Sequence, residues 1–343
     1  MRSRIALNAL ALRPGGSGVQ TYIRELLGAL PGVTDAELLA VVQQDVVPGL
    51  PVGVHAVPVR TVRGVRRAVA GLRIGVDAEL VHGLDVIVPL RTRVPAVATI
   101  HDLSVFDVPW AFSRRQAAAR RVLTRRSART VDVLIADSPF TADRIRAVLG
   151  RDPVVIMLAP PSDCVPPTRA AVDDVRRRYG LPEEFVLHVG TVEPRKDVPG
   201  LAAACGIAGV PLVLAGAGGD VVGARGLGYV PRVDLISLYG AATLVAYPSR
   251  YEGFGLPAVE AAACGAPVVA STVGALREVL GDGAAFVPPE DIDALARTVG
   301  ELWRDVEMRR ELARTGQARA SSLSWKRTAE ETVAVYRSLG VAS

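Results

Sequence analysis

Short runs rich in Val, Ile and Leu alternate along this chain with longer segments of helical period, and that alternation constrains the fold more than any other feature. Runs 4–8, 38–42, 96–100, 132–136 and 153–158 supply strands in the first half, and runs 185–189, 210–215, 243–247 and 267–270 in the second. Near-continuous apolarity marks strands buried on both faces, and the helical segments between them predict parallel βαβ units. With 343 residues and about 100 to 200 residues per domain, the expectation is two such domains. The tetraproline stretch "LAPPSDCVPPT" places a linker at 161–168, between domains at 1–160 and 169–324. Ligands of doubly wound sheets bind outside the carboxyl ends of the strands, so the expected site is a cleft between the two domains.

Composition excludes several classes. Half of the residues are hydrophobic and 22% are charged, which is globular and not disordered. Cys164, Cys205 and Cys264 are odd in number and far apart, which fits a reduced, cytoplasmic compartment without a zinc site. No apolar stretch approaches the roughly 18 residues that span a bilayer. The N-terminal "MRSRIALNALALRPGG" reads as a first strand entering a glycine loop, because Asn8 interrupts its apolar run.

The net charge of +5 suits an anionic partner. The densest basic run, 113–129, repeats Arg121, Arg125 and Arg129 every four residues on one helical face. It reads first as a solvated face, because bulky apolar residues are scarce opposite; weak association with an anionic inner-membrane face is the second reading.

Three constellations could carry chemistry. In "YEGFGLPAVE", Gly253 and Gly255 keep Glu252 on a loop, while Pro257 suits a helix start near Leu256 and puts Glu260 in its first turns. The free N–H groups around Phe254 to Leu256 then make an anion site flanked by two carboxylates, which suits a nucleotide sugar. The bland alternative is a loop acid and a helix acid with no ligand. In "GTVEPRKDV", Arg195 and Lys196 follow the strand-end Gly190 by five and six residues and could bind a diphosphate. In "ATIHDLSVFD", His101 and Asp102 end a buried strand; Asp102 serves equally well to cap the following turn. Near the N-terminus, Gly15, Gly16 and Gly18 lie between a strand and a helix, with Ser17 and Gln20 in capping-box spacing and Tyr22 on the helix's apolar face. Asp291-x-Asp293 stands at a helix start, where carboxylates are expected for dipole reasons, and is not read as a metal site.

Taken together, these stretches make the chain resemble the retaining, two-Rossmann-domain (GT-B) glycosyltransferases of family four. The resemblance covers essentially the whole length and is strongest over 185–287, where Glu252 to Glu260 matches the family's E-x(7)-E. It implies two Rossmann-like domains facing a central cleft, with a C-terminal helix at 325–343 returning to the first domain. It implies metal-independent transfer of a hexose from a nucleoside-diphosphate sugar to a hydroxyl acceptor, with no resident cofactor and no nucleic acid partner.

Carried over by position, the roles are as follows. Glu252, Gly253, Phe254 and His101 meet the donor sugar, with His101, Asp102 and Glu252 as the catalytic set. Gly16, Arg195, Lys196, Gly253, Phe254 and Gly255 meet the diphosphate. Gly190, Tyr229, Val230 and Glu260 meet the nucleoside, and Gly15, Gly18 and Tyr22 the acceptor. A GDP- or UDP-hexose is favoured, with a dTDP sugar open. Two departures stand out: Thr191 occupies a place where many members have Arg, and the segment between "AGAGG" and "GYV" is short. Competing readings are an epimerase or phosphorylase of the same fold and a non-catalytic nucleotide-sugar binder. A dehydrogenase would need G-x-G-x-x-G, which "RPGGSG" does not supply.

Overall fold

The computed structural model describes residues 2–13, 18–62, 65–72, 75–89, 91–218 and 220–341. It divides into two compact units, one of Met1–Leu158 with Ser324–Ser343 and one of Ala159–Leu323.

The first unit is built on a seven-stranded sheet of the described residues. Its strands are β1 (Arg4–Asn8), β2 (Glu37–Gln43), β3 (Val54–Val59), β4 (Leu80–Gly83), β5 (Ala96–Ile100), β6 (Val133–Ala136) and β7 (Val154–Val155). They pair in parallel in the order β3-β2-β1-β4-β5-β6-β7. Ile5 of β1 is in register with Leu38 and Leu80 on its two neighbours, and the successive residues Ile5, Ala6 and Leu7 are all fully buried, so the middle of the sheet is apolar on both faces. Three differences from the sequence expectation have physical causes. β3 carries Pro58, which lacks a ladder donor, and accordingly it lies at the sheet edge. β4 is only four residues long and contains His82, so its polarity hides it. Of the run at 153–158, only Val154 and Val155 pair.

The helix Trp325–Ser338 belongs to this first unit. Trp325 is buried against the ring of Tyr22, and Thr328 donates to the carbonyl of Met157. Tyr336 is fully buried and its hydroxyl meets His82 Nδ1 at 2.7 Å. His82 Nε2 continues to Thr99 Oγ1 at 2.9 Å, and Thr99 to the Tyr22 hydroxyl at 2.9 Å. Burial, helped by the charge of His101, pushes His82 down to about 3, so it is neutral and forms one donor and one acceptor bond. This polar thread fixes the last helix against strands from the middle of the sheet.

The helix Arg114–Thr130 starts with a Ser113–Gln116 capping box. Its basic stripe leaves Arg125 and Arg129 exposed, as a solvated face would, whereas Arg121 departs from that expectation. Arg121 is half-buried, donates to the Val105 carbonyl and lies over the Phe106 ring, which Arg125 also covers. Two of the three stripe arginines thus secure the helix to its own unit. Among the described residues, no helix is long and apolar enough to cross a membrane.

The second unit carries a six-stranded parallel sheet of β8 (Val186–Val189), β9 (Leu212–Ala215), β10 (Ala224–Gly226), β11 (Leu244–Tyr247), β12 (Val268–Ser271) and β13 (Ala285–Val287). The order is β10-β9-β8-β11-β12-β13. Connections run outward in opposite directions from β8 and from β11, which opens a crevice at their carboxyl ends. Val186, Leu214, Leu244, Ala246 and Val269 form its core with the helices Val198–Ala208 and Ile292–Arg304.

The Tyr336–His82 thread predicts a graded cost. Tyr336→Phe should destabilise the first unit by about 1–3 kcal/mol, by leaving His82 Nδ1 unpaired, and Tyr336→Ala by about 3–5 kcal/mol, by adding a cavity. Urea unfolding followed separately for the two units checks both values. Equal effects of the two substitutions would show that the hydroxyl carries no weight.

Candidate functional site

In the second unit, the chain leaves β8 at Gly190 and β9 at Gly216, and the two turns cross so closely that a side chain on Gly216 would collide with the Gly190 carbonyl. Gly190 N–H donates to Ala215 O, and Gly216 N–H to Gly228 O at 2.8 Å, so the strand ends hold the Gly228–Val230 segment. Val230 is buried there, whereas Tyr229 is 67% exposed. The 3-10 turn Pro194–Lys196 follows, then Asp197 in the left-handed region at φ 50°. Arg250 Nη2 grips the Asp197 carboxylate at 2.9 Å, which supports this unusual backbone. That turn buries Lys196 to 6% exposure.

Glu252 comes from the other side of the crevice, five residues beyond β11, and is 7% exposed. The Lys196 ammonium pairs with its Oε1, Ser249 Oγ donates to the same oxygen at 2.9 Å, and Arg195 Nη1 lies 3.5 Å from Oε2. Main-chain bonds hold the loops together: Arg250 N–H donates to Arg195 O at 2.7 Å, and Ala275 N–H to Glu252 O at 3.1 Å. Gly274, at φ 58°, passes where a Cβ would strike that same Glu252 carbonyl. Burial alone would raise the Glu252 pKa, but the charges of Lys196 and then Arg195, with the Lys196 and Ser249 hydrogen bonds, outweigh it and hold the carboxyl at about 2. It is therefore an ionised, acceptor-only group at any working pH.

The Gly253–Gly255 turn is buried throughout and leads into the helix Leu256–Ala263. Gly255 adopts φ 90°, and a Cβ there would meet Leu276, so both backbone and packing require glycine. Pro257 is the second helical residue, where no N–H partner is needed. Glu260 is 5% exposed and accepts from Arg232 Nη1 at 3.1 Å and from the Tyr239 hydroxyl at 3.2 Å. Burial pushes its carboxyl above the usual range, against the pull of Arg232 and Tyr239. The sequence reading misses Arg232. Its guanidinium grips Asp163 with two bonds of 2.9 and 2.6 Å and touches Cys164 Sγ at 3.0 Å, so it ties Glu260 to the start of the unit. Residue spacing gives no hint of this, because Asp163, Arg232 and Glu260 lie 69 and 28 residues apart.

The candidate residues of the first unit behave differently. Gly15, Gly16 and Ser17 lie outside the described residues; Gly18 opens the helix Gly18–Ala29 and is exposed. Tyr22, read as an acceptor contact, is instead 2% exposed, with its hydroxyl on Thr99 and its ring edge-on to His101. It packs within the first unit, because the helix turns its apolar face to the sheet. Asp102 caps its turn, accepting from Ser104 N–H at 2.9 Å and Ser104 Oγ at 2.6 Å. Both ring nitrogens of His101 are engaged, Nδ1 with Asp137 at 2.6 Å and Nε2 with Leu84 O at 3.0 Å. Burial opposes its charge, yet the Asp137 carboxylate, the Leu84 carbonyl and Asp85 raise it to about 9. Asp137, 1% exposed at the end of β6, is the second residue that the sequence reading misses. Asp291 accepts from Ala294 N–H at 2.8 Å, as a helix cap does.

Two outcomes follow from this geometry. A histidine with a raised folded pKa stabilises most below its unfolded value and loses that contribution as pH rises through the folded one. The first unit should therefore lose stability between pH 6.5 and about 9. In NMR titration the His101 ring should shift near pH 9, and at clearly lower pH in Asp137→Asn, where only the Leu84 carbonyl and Asp85 still oppose burial; a wild-type midpoint near 6.5 would disprove the pairing. In the second unit, Arg232→Ala should cost about 3 kcal/mol, because it strands a buried carboxylate, and Arg232→Ala/Glu260→Gln should recover most of that in urea unfolding.

Comparison with known proteins adds the following. A sequence model of the glycosyl transferases group 1 matches residues 173–319. The O-antigen chain mannosyltransferase B of Escherichia coli is 33% identical over 282 residues, covering 75% of this chain and 74% of that protein. Among solved structures, sucrose-phosphate synthase from Thermosynechococcus elongatus superposes with a TM-score of 0.79 at 23% identity, covering 99% of both chains. Anabaena HepE, solved in complex with UDP and glucose, superposes with a TM-score of 0.76 at 20% identity, covering 98% of this chain and 100% of that one.

Proposed function

Because the chain belongs to the glycosyl transferases group 1 and is a GT-B glycosyltransferase, we propose that it moves a hexose from a nucleoside-diphosphate sugar to a hydroxyl acceptor with retention of anomeric configuration. The observation that carries this reading is the buried Lys196–Glu252 pair, flanked by the half-buried Arg195, beside a glycine turn and a helix N-terminus. Glu252 offers ionised oxygens to sugar hydroxyls. Lys196 and Arg195 offer positive charge to a diphosphate, and the N–H groups at the start of the helix Leu256–Ala263 add donors. Glu260, held by Arg232 and Tyr239, offers its carboxylate to a ribose diol.

The reaction is the departure of the nucleoside diphosphate from the anomeric carbon. Negative charge grows on the leaving phosphate, and cations fixed beforehand in a water-poor site stabilise it without reorganising. Glu252 is bound to two cations and a hydroxyl, so it orients the sugar and does not attack it. A covalent glycosyl adduct on Glu252 would refute that role. A GDP- or UDP-hexose is the proposed donor: the Escherichia coli relative is named as a mannosyltransferase, and HepE is described with UDP and glucose.

Lys196→Ala should lower kcat by about 10²–10³ with a productive donor identified by a thermal-shift screen of GDP, UDP and dTDP sugars. The same change strands a buried carboxylate, so stability and catalysis must be separated. Lys196→Ala/Glu252→Gln should regain stability and remain inactive. Recovery of activity in the double variant, or unchanged kinetics in the single one, would remove Lys196 from the chemistry.

A further inference from the structure

The first sheet has its own switch point, between β1 and β4, where the connections diverge and a crevice opens at the strand ends. Three cations gather there. Arg13 lies five residues past β1 and is half-buried. The helix Val65–Leu72 crosses the same strand ends: a Cβ on its Gly71 would press on Ile87, Asn8 and Leu10, which follow or end β4 and β1. Arg67 is one turn before Gly71 and so shares the face that meets these strand ends. Arg120, exposed and stacked over the Phe112 ring, is the third cation, and its charge reaches Arg67.

These charges are poorly matched. The guanidinium of Arg67 is lowered from its ordinary value first by burial and also by Arg13 and Arg120, while the carboxylate of Asp85 acts the other way. Asp85 is itself divided, since it accepts from Ile87 N–H at 2.7 Å and faces His101 as well as Arg67. The Nε atoms of Arg13 and Arg67 are both buried and have no hydrogen-bond partner among the described residues. A buried guanidinium donor without an acceptor is costly, and three arginines around one shared carboxylate leave positive charge that an incoming anion would neutralise.

We propose that this crevice binds an anionic group on the acceptor, a phosphate or a carboxylate, through Arg13, Arg67 and Arg120. The term acceptor rests on the glycosyltransferase function above; the anion subsite rests on the first unit alone. A planar guanidinium presents paired donors to either oxyanion, so phosphate and carboxylate share the same recognition chemistry. The acceptor class is then an acidic saccharide or a sugar or alditol phosphate, and a neutral acceptor leaves these donors unpaired.

The test titrates inorganic phosphate into the full-length protein by calorimetry, with saturating GDP present to occupy phosphate sites of the donor. The wild type should bind phosphate saturably, Arg67→Ala and Arg13→Gln should weaken binding about tenfold or more, and Arg67→Lys should restore part of it. Circular dichroism checks the folding of each variant, and the Arg13→Gln arm decides the matter if Arg67→Ala does not fold. Glucose 6-phosphate, glucuronate and glucose then separate the two sources of charge: tighter binding of either acid than of glucose supports the subsite and says which anion it takes. No phosphate or glucuronate binding by the wild type, or the same affinity in all variants, overturns the proposal. Nucleotide binding is measured separately. Arg67-dependent phosphate binding without any nucleoside-diphosphate binding keeps the subsite and refutes the donor reading; nucleotide binding without phosphate binding refutes the subsite alone.

Discussion

The buried ion pair between Lys196 and Glu252 is the interaction on which the second unit's site depends. Two side chains below a tenth exposed can both remain charged only if each compensates the other, and here Arg195 and Ser249 complete the set. The pair joins the loop after β8 to the loop after β11, so the charges that make up the candidate site also fix the crevice.

The surrounding backbone serves that pair. Gly216 lets one turn cross the Gly190 carbonyl, Gly274 lets another pass the Glu252 carbonyl, and Gly255 starts a helix from the left-handed region. Asp197 occupies the left-handed region without being glycine, and the grip of Arg250 on its carboxylate supports this. None of the three glycine positions tolerates a Cβ without displacement of a neighbour. The Arg232–Glu260 contact repeats the principle one turn into the helix: a buried carboxylate is placed by a guanidinium that is itself anchored on Asp163.

The first unit uses charge in another way. His101 is held as an imidazolium by Asp137, with both nitrogens spoken for, whereas His82 in the same sheet is kept neutral by burial and by that nearby charge. Two histidines 19 residues apart thus take opposite states because one faces a carboxylate and the other faces hydroxyls. Among the described residues, the Nε groups of Arg13 and Arg67 at the β1–β4 switch point have no hydrogen-bond partner.

The sequence by itself determined the sheet-forming runs, since unbroken Val, Ile and Leu stretches between helical segments can be buried only as parallel strands. It also determined the glycine turn with Glu252 and Glu260, because Gly253, Gly255 and Pro257 permit little else locally. It did not reveal β3, β4, β10 or β13: Pro58 and His82 break the apolar signal of the first two, and the last two are only three residues long. Nor could it reveal Asp137 beside His101 or Arg232 beside Glu260: these partners come from different βα units, and only the strand order brings them together. Tyr22 and Asp102 show the converse, residues whose type suggests chemistry and whose surroundings assign them to packing and to a turn. Residue type sets what a side chain can do; the field of its tertiary neighbours decides which of those states it takes.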